Sequence, residues 1–475
     1  MKSLKRTKII ATISDMCNDR QRFIDVYNAG VNVIRFNFSH AQQGAVAEIL
    51  KTIKELNESG ITNLSTLLDT KGPEIRTGVV AEKISVKKGD LVKIYVEQDK
   101  IKDTQDLFCD YPYLLEDISK DQIIIIDSGL LQARVIEVNK DHAVLEMLAD
   151  HLIGSRRHIN LPGVKLKLPG LTDKDIPDVI FAAEHGMDFV AASFVRNREN
   201  ILQIKELLRH HNAENVQIIS KIENQEALEN LEEIVKESDG VMVARGDLWV
   251  EVEICTLPYY QKVIMDTCFT YGKTIIVATE LLKSMVDNPF PTRAEVSDVY
   301  NSVILRTDCT MLSDETAMGK FPVQSVQMMN DILIEAEKHT NNKHKDFEIT
   351  FTENYLVDKK MVAKSALYIA DEVKADYILL FTNSGFLARI ISAFKPNQSV
   401  FAFTKDLHVL RSMNILFAIN PFLIGEWGEY PIDDEQKAIS LLKEKGLIQT
   451  GNKIVVINDV MHGEVLAPYA KIINV

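Results

Sequence analysis

The sequence predicts an α/β protein: a TIM-type (β/α)8 barrel, an all-β lid domain inserted into it, and a C-terminal α/β domain. Two observations predict the barrel. Eight short apolar runs recur with helix-like segments between them, and polar and charged residues gather just after the runs. A third, the changed rhythm between Leu68 and Asp188, predicts the insertion.

The eight runs are Lys8–Ile13, Val31–Phe36, Asn63–Leu68, Asp188–Ala192, Val216–Ser220, Gly240–Ala244, Thr274–Ala278 and Cys309–Leu312. Runs this short are strands, and continuous apolarity suits parallel strands covered on both faces. The spacing leaves room for a crossover helix in each unit. Between the third and fourth runs, Ile84-Ser-Val-Lys-Lys-Gly-Asp-Leu-Val-Lys-Ile-Tyr-Val and the stretch from Gln122 to Val138 read as strands joined by glycine-containing turns. Lys71-Gly-Pro, Leu161-Pro-Gly and Leu168-Pro-Gly mark the borders of this segment. A domain inserted beside the C-terminal strand ends is placed to act as a lid. The charged run from Glu337 to Asp346 reads as a linker. Beyond it, Tyr377–Phe381, Ser399–Thr404 and Lys453–Ile457 are strand candidates among helices. The expected division is 1–70 with 168–340 for the barrel, 71–167 for the lid and 345–475 for the C-terminal domain.

A chain of 475 residues exceeds a single hydrophobic core. The net charge of −14 argues against nucleic acid and anionic membranes as partners. Five cysteines without CxxC spacing point to a reducing, cytoplasmic compartment and no structural zinc. The basic start leads into a short apolar run that reads as a buried strand, not a signal peptide, and no apolar stretch is long enough to span a bilayer.

The rim of the expected barrel carries the chemistry. Strand two ends in Arg35-Phe-Asn-Phe-Ser-His40 and strand three in Asp69-Thr-Lys-Gly-Pro-Glu-Ile-Arg76. Strand five reaches Lys221 and Glu223, strand six Arg245-Gly-Asp247, strand seven Thr279-Glu280, and strand eight Ser313-Asp-Glu315. Glu223 and Asp247 supply hard oxygen ligands suited to Mg²⁺ or Mn²⁺. Arg35, Arg76 and Lys221 can hold a multiply charged anion together with that ion. Asn37, Ser39, Asp69 and Thr70 offer oxygens with a single formal charge, which suits a monovalent cation. Backbone N–H groups at Ala244-Arg245-Gly246 begin a helix and can receive a carboxylate or phosphate. Neither a GxGxxG nor a GxxxxGK[ST] loop occurs. Taken singly these residues read as ordinary rim charges: Thr279 as a cap of the following helix, His40 as a structural hydrogen-bonding group. Their shared rim is what makes a site.

Six stretches, in family order, resemble the pyruvate kinase family across essentially the whole chain. They are Asn32-Val-Ile-Arg-Phe-Asn-Phe-Ser-His, Leu68-Asp-Thr-Lys-Gly-Pro-Glu-Ile-Arg-Thr-Gly, Ile218-Ile-Ser-Lys-Ile-Glu-Asn-Gln-Glu, Val243-Ala-Arg-Gly-Asp-Leu, Pro291-Thr-Arg-Ala-Glu-Val-Ser-Asp-Val and Met311-Leu-Ser-Asp-Glu-Thr-Ala. The resemblance implies the same three-domain fold, usually as a homotetramer. It also implies transfer of phosphate from phosphoenolpyruvate to ADP, giving pyruvate and ATP. By that resemblance Glu223 and Asp247 bind Mg²⁺ or Mn²⁺, Lys221 stabilises the transferring phosphoryl group, and the backbone of Ala244–Asp247 receives the substrate carboxylate. Thr279 lies where the enolate carbon is protonated, with Ser313 and Glu315 in the proton relay. Asn37, Ser39, Asp69 and Thr70 match K⁺ ligands, Arg35 and Arg76 contact phosphate, and Asn37 and His40 face the nucleotide. Glu74 stands where potassium-dependent members carry glutamate, which implies K⁺ dependence.

The chain departs from the family pattern at Thr12-Ile-Ser-Asp15 in place of Thr-Ile-Gly-Pro, and at Trp249 in place of the glycine after Ala-Arg-Gly-Asp-Leu. Glu280 replaces glutamine, Asp314 replaces glycine, Arg157-His158 replaces Lys-Gly, and Leu305-Arg306 replaces Asp-Gly. An acid at Asp15 near the nucleotide is expected to reshape or weaken ADP binding, and the Trp249 indole to displace a loop or fill part of the site. These departures leave open a divergent paralogue with weak or lost activity and a binding or regulatory role. Phe381-Thr-Asn-Ser-Gly-Phe-Leu-Ala-Arg is similar to the loop that binds sugar-phosphate effectors in relatives, whereas the segment from Ile457 to Pro468 lacks the familiar Gly-Thr-Asn ending.

Overall fold

The computed structural model describes residues 4–101, 103–344, 347–350, 357–428, 430–462 and 465–475. Eight parallel strands close into a barrel: β1 (Lys8–Thr12), β2 (Val33–Asn37), β3 (Ser65–Asp69), β4 (Phe189–Ala192), β5 (Gln217–Ile222), β6 (Gly240–Ala244), β7 (Thr274–Ala278) and β8 (Cys309–Leu312). All eight expected runs become strands, with boundaries shifted by at most two residues. Alternate residues fill the interior: Ile10, Val33, Leu67, Phe189, Ile219, Met242, Ile276 and Met311 are buried there. Their neighbours, such as Ile9, Ile34, Leu68 and Val190, pack outward under the helices. Double-sided burial explains why these strands are apolar throughout.

The inserted segment forms a seven-stranded sheet and a two-stranded ribbon around its own core, which includes Ile94, Ile124, Leu131, Val135 and Leu145. A short α-helix, Leu114–Asp117, and a single 3-10 turn, Gln98–Lys100, interrupt the insertion, which is otherwise strands and loops among its described residues. Two devices attach it to the rim. At the first junction Gly72 has φ +72, and a Cβ there would lie 2.8 Å from both Phe194 Cδ2 and Ser193 Cβ, so only glycine fits. At the second, the buried Arg196 guanidinium donates to Leu166 O (2.8 Å), Leu168 O and Pro169 O (3.1 Å).

The C-terminal domain is a five-stranded sheet in the order 419–423, 399–404, 377–381, 453–462 and 465–474. The three expected strands are present, the last one longer than expected. The two outer strands were not anticipated, and the final one pairs antiparallel. The charged run from Glu337 to Asp346 is only partly a linker. Glu337 and Lys338 end the helix Pro322–Lys338, and buried Glu337 accepts the Arg6 and Thr7 backbone N–H groups. Lys345 and Asp346 in that run, Gly463 and Glu464 in the late segment, and Met1–Ser3 at the basic start lie outside the described residues.

The strand starts also carry charged groups, and these dock the C-terminal domain under the barrel floor. Asp308 pairs with Lys395 and Asp188 with Arg411 (2.8 Å), Lys8 donates to Ile419 O (2.5 Å), and Ser65 donates to Arg411 O (2.7 Å). Asp308 and Lys395 are almost wholly buried, so removing one partner leaves an uncompensated charge. Lys395→Met is expected to destabilise the fold by about 3–5 kcal/mol. The double variant Asp308→Asn/Lys395→Met recovers most of that loss, as read from thermal unfolding temperatures.

Candidate active site

The rim residues converge on a buried cluster of charges between the ends of β2, β3, β5 and β6. Paired register places Asn37 beside Asp69 across β2 and β3. Asp69, 1% exposed, lies between two cations: Arg35 Nε donates to Oδ2 at 2.7 Å, and Lys221 Nζ stands 3.1 Å from Oδ1. Arg35 is fixed further by donating to Thr12 Oγ1 at 2.9 Å. Burial opposes ionisation of Asp69, but Lys221 and Arg35 outweigh it and hold its carboxyl below the usual range.

Lys221 is the hub of the cluster. Its ammonium donates to Ser193 Oγ (2.8 Å) and stands 2.8 Å from Glu223 Oε1. Burial works against its charge, but Asp69, Glu223 and Asp247 overcome that and raise its pKa. It therefore stays protonated at any physiological pH. Ser193, one residue beyond β4, accepts this bond and sits 2.7 Å from Thr70 O and 3.1 Å from Asp69 Oδ1. Its backbone N–H donates to Thr70 Oγ1 at 3.0 Å. Ser193 was not among the expected site residues, although its place directly after a barrel strand was a signal for it.

Glu223 is fully buried, and Oε2 accepts the Phe194 N–H at 2.6 Å. Oε1 touches the Lys221 ammonium, yet no hydrogen bond of acceptable direction reaches this oxygen. Asp247 comes within hydrogen-bonding reach of Glu223. Burial raises Glu223, Lys221 opposes the shift, and Asp247 adds to it; burial likewise raises Asp247 against Lys221. Two crowded carboxylates, one with an oxygen met only by the Lys221 ammonium, fit a divalent cation. Mg²⁺ is commonly held by one or two carboxylates, with water and substrate phosphate completing its shell. Among the described residues no group of three or more His, Cys, Asp or Glu side chains is arranged to hold a metal, so such an ion would draw its other ligands from water and substrate.

The remaining expected residues divide into those facing the cluster and those holding the rim. Thr279 has φ +68, a strained value for a β-branched residue. It does not cap the following helix: its Oγ1 accepts the Gly246 N–H at 2.9 Å, tying β7 to the helix Arg245–Glu251. Arg245 turns its guanidinium onto Asp298 (2.8 and 2.7 Å) and Thr279 O (2.7 Å), which leaves its backbone alone to serve a substrate. Buried Glu315 accepts the Ser313 N–H (2.8 Å) and the Leu282 N–H (3.1 Å), so both oxygens clamp the loops after β7 and β8. Arg76 donates twice to Glu74 Oε2 (2.8 and 2.6 Å) and to Arg156 O, at the root of the lid. Asn37 Oδ1 accepts the Ser39 N–H at 3.1 Å, and His40 is exposed beside them.

Several departures find local partners. Asp15 Oδ2 accepts the Gln42 N–H (2.8 Å) at the start of the helix Gln43–Glu58, where the helix dipole favours an anion. Asp314 pairs with Lys283 at 2.5 Å. His158 packs edge-on to Phe194 at 5.9 Å between ring centroids, and burial lowers its pKa. Trp249 points toward the lid turn at Gly129.

A closed (β/α)8 barrel with an inserted lid, a C-terminal α/β domain and a buried cluster of charges at its rim defines a three-domain barrel protein. The chain matches the family model for the pyruvate kinase barrel domain over residues 4–326 and that for the pyruvate kinase alpha/beta domain over 360–468. Curated pyruvate kinases of Lactobacillus delbrueckii subsp. bulgaricus and Borreliella burgdorferi are 35% and 33% identical to it. These alignments cover 97% and 96% of this chain, and 79% and 94% of the relatives. The crystal structure of a pyruvate kinase from Cryptosporidium parvum superposes with a TM-score of 0.92 at 32% identity, covering 99% of this chain and 96% of that one. The chain belongs to the pyruvate kinase family.

The crowding of Glu223 and Asp247 has a measurable sign. A raised carboxyl pKa means that the folded state binds the proton more tightly than the unfolded chain does. Stability of the metal-free protein therefore falls as pH rises from the ordinary carboxylate range through the raised value. Glu223→Gln is expected to unfold at a higher temperature than wild type above neutral pH without metal, the gap closing at acidic pH. Added Mg²⁺ raises the unfolding temperature of the wild type and not of the variant; thermal scans with and without the ion check both points.

Proposed function

We propose that this protein is an active pyruvate kinase, transferring the phosphoryl group of phosphoenolpyruvate to ADP to give pyruvate and ATP. The observation that carries this reading is the buried cluster of Arg35, Lys221, Asp69, Glu223 and Asp247. Two cations face three carboxylates there; with all three ionised the cluster carries one excess negative charge, which repels a phosphoenol anion. A divalent ion at Glu223 and Asp247 reverses that sign, and when bound it supplies Lewis-acid polarisation of phosphoryl and enolate oxygens.

In this reading Lys221 presents a fixed positive charge to the transferring group, and Arg35, braced by Asp69 and Thr12, holds a phosphate oxygen. Backbone N–H groups along Ala244–Asp247, with Thr279 beside Gly246, receive the carboxylate. Thr279 and Ser313 stand toward the enolate carbon, Ser313 positioned by Glu315. Asn37, His40 and Arg76 flank the nucleotide. Asn37, Ser39, Asp69 and Thr70 hold K⁺. A lysine at position 74 would carry its own positive charge, whereas Glu74 cannot and is engaged by Arg76, which favours dependence on K⁺. The protein would act in the cytoplasm as a homotetramer; among the described residues no helix is long and apolar enough to cross a membrane. The local partners of Asp15 and Asp314 weigh against a paralogue with lost activity.

Pyruvate formation from phosphoenolpyruvate and ADP, coupled to lactate dehydrogenase with Mg²⁺, tests the reading directly. Turnover is expected, and omitting K⁺ should lower it severalfold or more. A folded sample that gives no pyruvate under either condition overturns the proposal, while turnover indifferent to K⁺ overturns only the role of Glu74. Lys221→Met is expected to lower kcat about a thousandfold, and also to lower the unfolding temperature, because Asp69 and Glu223 lose a buried cation.

A further inference from the structure

Trp249 stands two residues after Asp247 on the seven-residue helix Arg245–Glu251, where the resembling family carries glycine. Its indole leaves the barrel rim and meets the lid. A Cβ built on Gly129 would lie 2.3 Å from Trp249 Cη2, 2.5 Å from Cζ2 and 2.9 Å from Val250 Cγ1. The Gly129 backbone is thus in van der Waals contact with the ring, and no side chain fits between them.

The lid side of this contact is rigidly built. Asp127, Ser128 and Gly129 take φ values of 58, 53 and 95° in succession, turning the chain between strands 123–126 and 131–138. The Asp127 N–H donates to His158 O (2.9 Å), and the Asp127 carboxylate lies 2.9 Å from His151 Nε2 and 3.4 Å from Arg157 Nη1. A second contact lies one residue beyond Val250: Asn160 at the lid root donates to Glu251 Oε1 at 2.7 Å. The helix that carries Asp247 therefore meets the lid at two points, a hairpin tip and a root strand.

We propose that Trp249 and Gly129 form a latch that docks the lid hairpin onto the helix bearing Asp247. Trp249 is thereby a positioning residue, coupling the lid's place to the setting of that carboxylate. The docking stands on the contact alone; the coupling rests on the metal-site reading above. The indole lies against the lid backbone instead of filling the charge cluster, so the departure adds a lid contact to an intact set of ionisable groups.

Hydrogen exchange on the full-length protein tests the docking. In Trp249→Ala, amides of residues 127–131 and 245–251 are expected to exchange faster together, by about tenfold. Strand 142–147 in the lid core keeps its protection, and Trp249→Phe falls between alanine and wild type. Acceleration confined to 245–251 would overturn the latch, because it would make Trp249 a packing residue of its own helix. Mn²⁺ binding, followed by the electron paramagnetic resonance of the free ion, tests the coupling. Affinity should drop about threefold or more in Trp249→Ala and return in Trp249→Phe. Unchanged affinity with a released hairpin would remove the coupling. Wild-type Mn²⁺ binding indifferent to Glu223→Gln would instead overturn the metal site, and the exchange data would still decide the latch.

Discussion

The structure depends on a balance of buried charge at the barrel rim. Lys221 and Arg35 are tolerated out of water because Asp69 lies between them, within 2.7 and 3.1 Å. Asp69 stays ionised for the same reason. Left to themselves, Glu223 and Asp247 do not share this comfort, since burial pushes both toward holding a proton and Asp247 adds to the push on Glu223. One satisfied carboxylate beside two frustrated ones is the feature on which the proposed divalent cation rests. Surrounding residues such as Ser193, Thr70, Thr12 and Phe194 fix geometry by accepting or donating hydrogen bonds, and contribute little charge.

The two ends of the barrel use charge in opposite ways. At the rim, ionic groups face one another across the barrel mouth. At the floor, Lys8, Asp188 and Asp308 are each answered by a group from the C-terminal domain. Parallel strands explain the arrangement: their apolar middles fill the barrel, so only their ends are free to carry polar chemistry. The lid attaches at the rim and the C-terminal domain at the floor.

Much of this was legible in the sequence because β1 to β8 are buried on both faces and read as unbroken apolar runs. Rim residues followed from the strand ends, which is how Arg35, Asp69, Lys221, Glu223 and Asp247 came together. The environment of each side chain was not legible. Arg245 and Glu315 share the rim with Lys221, but Asp298 engages the first and two backbone amides the second. Ser193 was hidden by its ordinary side chain, and Asp298 by its place on a crossover helix. Glu337 looked like part of a charged linker because its partners, the Arg6 and Thr7 amides, lie at the opposite end of the chain. The outer strands of the C-terminal sheet were missed because they lack the apolar continuity of its centre.

Gly72 carries a consequence of its own. The first junction of the lid presses directly on Ser193 and Phe194, and those two residues hold Lys221 and Glu223. The inserted domain is therefore not a module that can be exchanged by cutting at its ends. A lid grafted from a relative would bring its own hinge against the two residues that set the charge cluster. In this architecture, the insertion and the charge cluster are bound to a single point on the backbone.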